Sequence, residues 1–273
     1  MDPESFMVRV IGELRDSSKS IQAFETAVRT TNSRQPLYVF GGFLRDTISA
    51  FWEGKKPILD QITFKDIDIS TPALLTNEQS IRLIECLGKL ETIDKTTIVV
   101  SQRKFNAGYK NAKICIRNAR KADQVMRLSN EVVREIDMID VPITSAYNIS
   151  FVETVGTMPI KFEFNLFSFF TYVDFAVNTL TYDLIYERIG TIHDHLMLQV
   201  PAWLQLYSIY HMVRDKQAIP IEGYMNGNKI EERKNKILVR GYTIPEAGLA
   251  EINIAILMFR RIRATASIPS TAY

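Results

Sequence analysis

The chain has 273 residues, 46% hydrophobic and 23% charged, with 33 Lys and Arg against 31 Asp and Glu. That is an ordinary balance for a soluble globular protein, and the net charge of +2 is too small to identify a nucleic-acid partner by itself. The composition excludes a membrane span, since no apolar run approaches the roughly 18 residues one requires, and the two cysteines, Cys86 and Cys115, exclude a disulfide framework.

Met1–Phe6, ahead of a second methionine at position 7, reads as an expression remnant and is set aside from the fold. Ser17–Thr31 carries Ile21, Phe24, Ala27 and Val28 at helical spacing, with Ser17 or Ser18 as the cap. Leu37–Phe40 reads as a strand that runs into Gly41-Gly42 and then into a helical pattern through Phe51. Ile67 and Ile69 alternate with Asp66 and Asp68, a strand signature, and Glu78–Leu90 is helical with Ile81, Ile84, Cys86 and Leu87 on its apolar face. Strand signals follow at Ile98–Val100, Ile114–Ile116, Ile136–Val141, Ile149–Val152 and Ile160–Phe164. Beyond Asp174 the pattern turns helical: Trp203–Val213 is amphipathic with Trp203, Leu206, Tyr207 and Tyr210 toward the core, Gly223–Asn228 is a turn, and Leu249–Arg263 closes the chain as a helix. The expected class is therefore α+β. Both cysteines are expected as reduced, buried thiols, and the compartment as cytoplasmic or another intracellular reducing one.

The residues that point to chemistry lie at two places. Residues two apart on a strand share a face, so Asp66 and Asp68 bring two carboxylates to one spot. Such a pair is costly without a cation between its members, and hard oxygen ligands suit Mg²⁺ or Mn²⁺. Gly41 and Gly42 allow close backbone approach to a ligand, and the helix after them directs free N–H groups and its positive dipole end the same way, an arrangement that favours phosphate. Arg45, one turn in, adds a guanidinium.

Taken together, Gly41-Gly42-Phe43-Leu44-Arg45-Asp46 followed by Lys65-Asp66-Ile67-Asp68 resembles the Gly-Gly-x-x-Arg-Asp plus Asp-x-Asp signature of the superfamily of class II CCA-adding enzymes and bacterial poly(A) polymerases. Asp174-Phe175-Ala176-Val177-Asn178-Thr179-Leu180-Thr181-Tyr182-Asp183 is similar to that superfamily's second motif, with Asp, Phe, Asn, Tyr and Asp in register. The resemblance covers residues 36–70 and 160–195 and implies a nucleotidyltransferase-type mixed β-sheet head flanked by helices over 7–190, with a basic insertion around 101–150, then a small helical neck-like region over 191–273. It implies that Asp66 and Asp68 hold the metals, with Glu163 as the third carboxylate. It also implies that Gly41, Gly42 and Arg45 cradle a nucleoside triphosphate, that Asp174 and Asn178 meet its ribose, and that Asp46 and Asp183 are structural. The implied reaction is in-line attack of an RNA 3′-hydroxyl on the α-phosphate, one metal activating the hydroxyl and the other steadying pyrophosphate.

The sequence also departs from the superfamily pattern. Tyr172-Val173 stand where two arginines precede the second-motif Asp, and Pro201–Gln205 lacks the Glu-Asp-x-x-Arg that selects C or A, so tailing with A fits better than CCA addition. The basic insert mixes Arg103, Lys104, Lys110 and Lys113 with Phe105 and Tyr109, a composition suited to stacking bases and neutralising phosphates. His193, Asp194 and His195, with His211, invite a metal reading if the segment is a strand, while in relatives this stretch has no metal role. Short helices with exposed aromatics are compatible with a homodimer. The rival expectation, of a different class, is a catalytically silent RNA-binding or assembly protein that retains the fold.

Overall fold

The structure, a computed structural model, describes residues 1–31, 36–71, 77–105, 144–166, 173–195, 202–221 and 227–245. Its first helix, α1 (Pro3–Ser17), starts earlier than the sequence suggests. Asp2 caps it by accepting from the Ser5 N–H at 2.8 Å, a proline opens it, and Phe6, Met7, Val10, Ile11 and Leu14 form its buried stripe. Within Met1–Phe6, residues from Pro3 on are part of α1, and Phe6 is 2% exposed and packs edge-on against Phe51. Ser18 ends α1 and opens α2 (Lys19–Thr31), its Oγ accepting from the Ile21 N–H at 3.2 Å.

The strands are β1 (Tyr38–Phe40), β2 (Ile67–Thr71), β3 (Ile93–Phe105), β4 (Thr144–Val155), β5 (Met158–Leu166), β6 (Leu180–Asp183) and β7 (Arg188–Thr191). They form one seven-stranded sheet in the order β3-β4-β5-β2-β1-β6-β7. β2 and β5 pair in parallel, whereas β1–β2, β1–β6, β3–β4 and β4–β5 are antiparallel. The architecture is thus α+β with a mixed sheet. Helix α3 (Gly42–Trp52) packs on β1 and β2, α4 (Asn77–Lys89) packs against β3, and α2 meets β5 through Phe24 and Phe164, whose rings lie 4.5 Å apart. Val39, Ile67, Ile69, Ile149, Phe151, Phe162 and Phe164 are buried at alternate strand positions, which makes one face of the sheet the core of this unit.

Arg15 of α1 ties the layers together, pairing with Glu25 of α2 and with Glu187 of the β6–β7 turn, both at 2.8 Å.

Three expectations change. The stretch after Asp174 is not helical: a 3₁₀ turn at Ala176–Asn178 leads into β6 and β7, because Leu180–Asp183 pairs with β1, Tyr182 opposite Val39. Cys86 is exposed rather than buried. Leu83, Ile84 and Leu87 define the inner face of α4, and one residue turns the side chain about 100° from Leu87. Tyr207 is 72% exposed, because the segment around Trp203 is a separate 3₁₀ turn (Ala202–Leu204) and the helix Leu206–Arg214 buries Ile209, Tyr210, Met212 and Val213 instead. Cys115, Ile114–Ile116, Ile136–Val141 and Leu249–Arg263 lie outside the described residues.

The chain divides into two compact units, one of Met1–Phe169 with Thr181–Ile189, the other of Phe170–Leu180 with Gly190–Tyr273. In the second, Phe175, Val177, Ile192, Leu204, Ile209, Val213, Ile221 and Ile237 are buried. Its helix Gly227–Leu238 is solvent-facing over most of its described side chains. Among the described residues no helix is long and apolar enough to cross a membrane.

Candidate functional site

The site follows from the pleat of β2. Ile67 and Ile69, both 0% exposed, take the core face, so Asp66, Asp68 and Ser70 take the opposite one, where both aspartates are half-buried. The parallel register sets Asp68 directly opposite Glu163 of β5. Phe40 of β1 flanks Asp68 on the other side, and Ser150 of β4 lies beyond Glu163. Asp68 and Glu163 thus share one face of two neighbouring strands, with Asp66 immediately before β2.

The glycine turn closes on the same place. Gly41 follows β1 with φ +81°, a conformation that a side chain strains, and a Cβ built on it would lie 3.7 Å from Asp68 Oδ2. The backbone of Gly41 is therefore a direct neighbour of the carboxylate. Gly41 stands just before α3, the Arg45 N–H donating to its carbonyl at 3.3 Å, and the free N–H groups of the helix start are directed at the turn. A Cβ on Gly42 would meet Arg45 Nη2 at 3.5 Å.

Arg45, expected at a phosphate, is only 1% exposed. Its Nε and Nη2 donate to Asp46 Oδ1 at 2.8 and 2.6 Å. In this structure its guanidinium supports the turn from inside the domain. Asp183 likewise serves the scaffold: its Oδ1 accepts from the N–H groups of Leu37, Ile185 and Tyr186. Burial pushes its carboxyl above the usual aspartate range, against the pull of those donors.

Lys161, two residues before Glu163 on β5 and so on the same face, pairs with Glu163 Oε1. Partial burial alone would lower the lysine pKa. The hydrogen bond and charge of Glu163, with the charges of Asp66 and Asp68, outweigh that and hold it above the ordinary lysine range. All three carboxylates therefore act on one ammonium. The Asp66 carboxylate makes no hydrogen bond among the described residues, and that of Glu163 has Lys161 as its only partner there.

Asp174 and Asn178 belong to the second unit. Asn178 Nδ2 donates to Asp174 Oδ1 at 2.7 Å, the Phe175 N–H reaches the same oxygen at 3.1 Å, and Arg233 Nη1 reaches Oδ2 at 3.1 Å. The segment is pinned by the Ala176 N–H to the Ile219 carbonyl at 2.9 Å and by the Ile221 N–H to the Asp174 carbonyl at 2.8 Å. The two residues singled out from the sequence are thus brought together and oriented by each other.

Of the basic residues, Arg103 and Lys104 lie on β3, at the edge of the described sheet, in register with Ala146 and Ser145, while Lys110 and Lys113 lie outside the described residues. His193 and His195 fall on a helical turn, Ile192–His195, not on a strand. The His211 ring packs against Tyr207, centroids 4.4 Å apart. Among the described residues no group of three or more His, Cys, Asp or Glu side chains converges closely enough to hold a metal ion as they stand.

Two residues escaped the sequence reading. Lys161 was legible in principle, since a lysine two positions from an acidic strand residue must share its face. Arg233 was not: it reaches Asp174 from a helix 59 positions along the chain. No family model matches this chain, and no curated protein is significantly similar to it.

Proposed function

We propose that this protein is a metal-dependent nucleotidyltransferase, similar to the class II CCA-adding enzymes and bacterial poly(A) polymerases, that transfers a nucleoside monophosphate from an NTP to an RNA 3′ end. One observation carries the proposal. Glu163 stands opposite Asp68 in the parallel register, Asp66 immediately precedes β2, and the positive-φ Gly41 turn lies against Asp68. A carboxylate centre beside a glycine turn at a helix start is the layout that triphosphate chemistry needs.

The donor chemistry is of the kind a divalent cation takes, although among the described residues the carboxylates do not converge on one point as they stand. The donor oxygens are hard and carboxylate in kind, and an ammonium already drawn by all three is a stand-in for the charge they would take. Asp66 and Asp68, with Glu163, would hold Mg²⁺ or Mn²⁺. Bound there, the cation would neutralise charge on the α-phosphate and raise the nucleophilicity of the 3′-hydroxyl. The residues of the chain do the positioning. The Gly41-Gly42 backbone lets a phosphate approach without a side chain between, and the α3 start adds its free N–H groups. Within the second unit, taken by itself, Asp174 is held by Asn178 and Arg233 as an oriented acceptor. Arg103 and Lys104 on the edge strand supply cationic positions for an RNA backbone.

The test is transfer of label from each of the four NTPs to a pool of short RNAs with Mg²⁺ or Mn²⁺. Incorporation by the native chain that is lost in the Asp66→Ala, Asp68→Ala variant is expected, with ATP preferred.

A second reading has its own support. Arg45 is buried against Asp46, and Glu163 is occupied by Lys161, both consistent with a silent RNA-binding protein that retains the scaffold. Folded protein that binds RNA but transfers from no NTP with either metal would favour it.

A further inference from the structure

We infer that Arg15 is a clasp shared between α2 and the β6–β7 turn, and that proton uptake by Glu25 hands the clasp wholly to Glu187. The device lies within the first unit and does not depend on the transfer chemistry proposed above. From α1, the Arg15 guanidinium meets Glu25 Oε1 of α2 through Nε and Glu187 Oε1 of the turn through Nη1, both at 2.8 Å. One cation thus serves two carboxylates that repel each other.

The two carboxylates are held differently. The Glu25 side chain is 11% exposed, and its Oε1, although close to Arg15, accepts no well-aligned hydrogen bond among the described residues. The Glu187 side chain is 64% exposed and accepts an aligned hydrogen bond from Arg15 Nη1. Glu187 also sits at φ +52°, a backbone conformation that a side chain keeps only with support from its surroundings. The charged and titratable groups facing Glu25 are Arg15 of α1, Arg29 further along α2, Glu187 of the turn and Tyr182 of β6. Burial pushes the Glu25 carboxyl above the ordinary glutamate range, against the pull of Arg15 and Arg29, and the Glu187 charge adds to the push. The fold therefore favours neutral Glu25, an advantage that fades as pH climbs through the folded value. The Tyr182 phenol, pushed up by burial, stays neutral meanwhile.

A proton on Glu25 removes both the competitor for the guanidinium and the repulsion on Glu187, so the turn is gripped harder in mild acid. The turn closes the end of the β1–β6 ladder, where Asp183 lies opposite Tyr38 of the strand that runs on into Gly41.

Amide exchange of Ile185 and Tyr186, read by NMR on the full chain, reports that grip, since both N–H groups donate to Asp183 within the turn. Asp183 titrates as well, so the native chain is compared with Glu25→Gln, which keeps Asp183 and fixes position 25 as neutral. At about pH 7.5 Glu25→Gln should exchange roughly two- to fivefold more slowly than the native chain, the scale of a partly exposed ion pair, and the two should converge by about pH 5. In a Glu187→Gln background the same substitution should make no difference at these amides.

Equal rates at both pH values, or faster exchange in Glu25→Gln at the higher one, would overturn the clasp. So would a difference that persists in the Glu187→Gln background, since it would mark a general change in stability. If Glu25→Gln does not fold, carbon-13 titration of the Glu25 carboxyl decides: its midpoint should fall in Glu187→Gln, and a midpoint that stays put would sink the inference.

Discussion

Two acidic centres occupy opposite faces of the same sheet, and they are built on opposite principles. On the core face, Glu153 of β4 is 0% exposed, yet its carboxylate is saturated. It accepts from Ser18 Oγ at 2.6 Å, the Lys19 N–H at 2.8 Å and Thr92 Oγ1 at 3.0 Å, and from both the N–H and hydroxyl of Ser20. It closes the N-terminus of α2, where a helix dipole favours negative charge. On the other face, Asp68 and Glu163 are half-buried, and Glu163 pairs with the partly exposed Lys161. A buried carboxylate is tolerated when the protein completes its hydrogen bonds. The first centre therefore holds the fold together; under the proposed function, the second is where a cation would bind.

That contrast can be broken in order of size. The largest effect belongs to the open centre. Asp66→Ala with Asp68→Ala should reduce NTP transfer by more than about 100-fold, the scale of losing the main electrostatic contribution to a transfer site, with the fold intact by circular dichroism. Next comes the closed centre. Glu153→Ala strands several donors at the α2 start and should cost about 3–5 kcal/mol in urea unfolding, each orphaned group contributing about 1–3 kcal/mol. The open centre should respond with the opposite sign: Asp66→Asn removes a like charge and should leave metal-free stability unchanged or raise it by up to about 1 kcal/mol. A loss of stability in Asp66→Asn as large as in Glu153→Ala would erase the distinction between the two faces.

The two centres were unequally legible in the sequence. Asp66 and Asp68 sit in a period-2 alternation with Ile67 and Ile69, a local pattern that assigns faces without knowledge of the partner strand. The Gly41-Gly42 turn and the strands β4 and β5 were readable for the same reason. Glu153 was not. It occupies an inward position between Phe151 and Val155, and most of its donors come from residues 18–20, more than 130 positions away, with Thr92 61 positions away. Only the non-local pairing of α2 with the sheet explains a charged residue there. Register is equally non-local. The sequence offered Glu163 as a third carboxylate, but its place opposite Asp68 depends on a parallel β2–β5 pair that no local pattern announces. The stretch after Asp174 reads as helical, whereas Leu180–Asp183 forms β6 and pairs with β1, a partner that no local pattern announces.

The glycines sharpen the contrast at smaller scale. Gly41→Ala must hold a side chain at φ +81° and should cost about 1–2 kcal/mol, while Gly42→Ala meets Arg45 at an ordinary 3.5 Å and should change stability by less than about 0.5 kcal/mol. Equal costs in thermal unfolding would mean that backbone strain is not what reserves position 41 for glycine.

Asp183 gives the smallest and finest test, because it stands between the two designs: buried like Glu153, but with burial outweighing its three backbone donors. Its folded carboxyl titrates above the ordinary aspartate value of 3.8. A group raised in this way contributes stability below its unfolded value, and that contribution is lost as pH rises through the folded one. Asp183→Asn keeps an oxygen acceptor for the same N–H groups and removes the titration. Urea unfolding between the unfolded value and neutrality should therefore show the stability advantage of the native chain over Asp183→Asn shrinking as pH rises, then levelling off. An advantage that instead grew with pH would mean that the backbone donors win over burial, placing Asp183 beside Glu153 as a fully compensated charge.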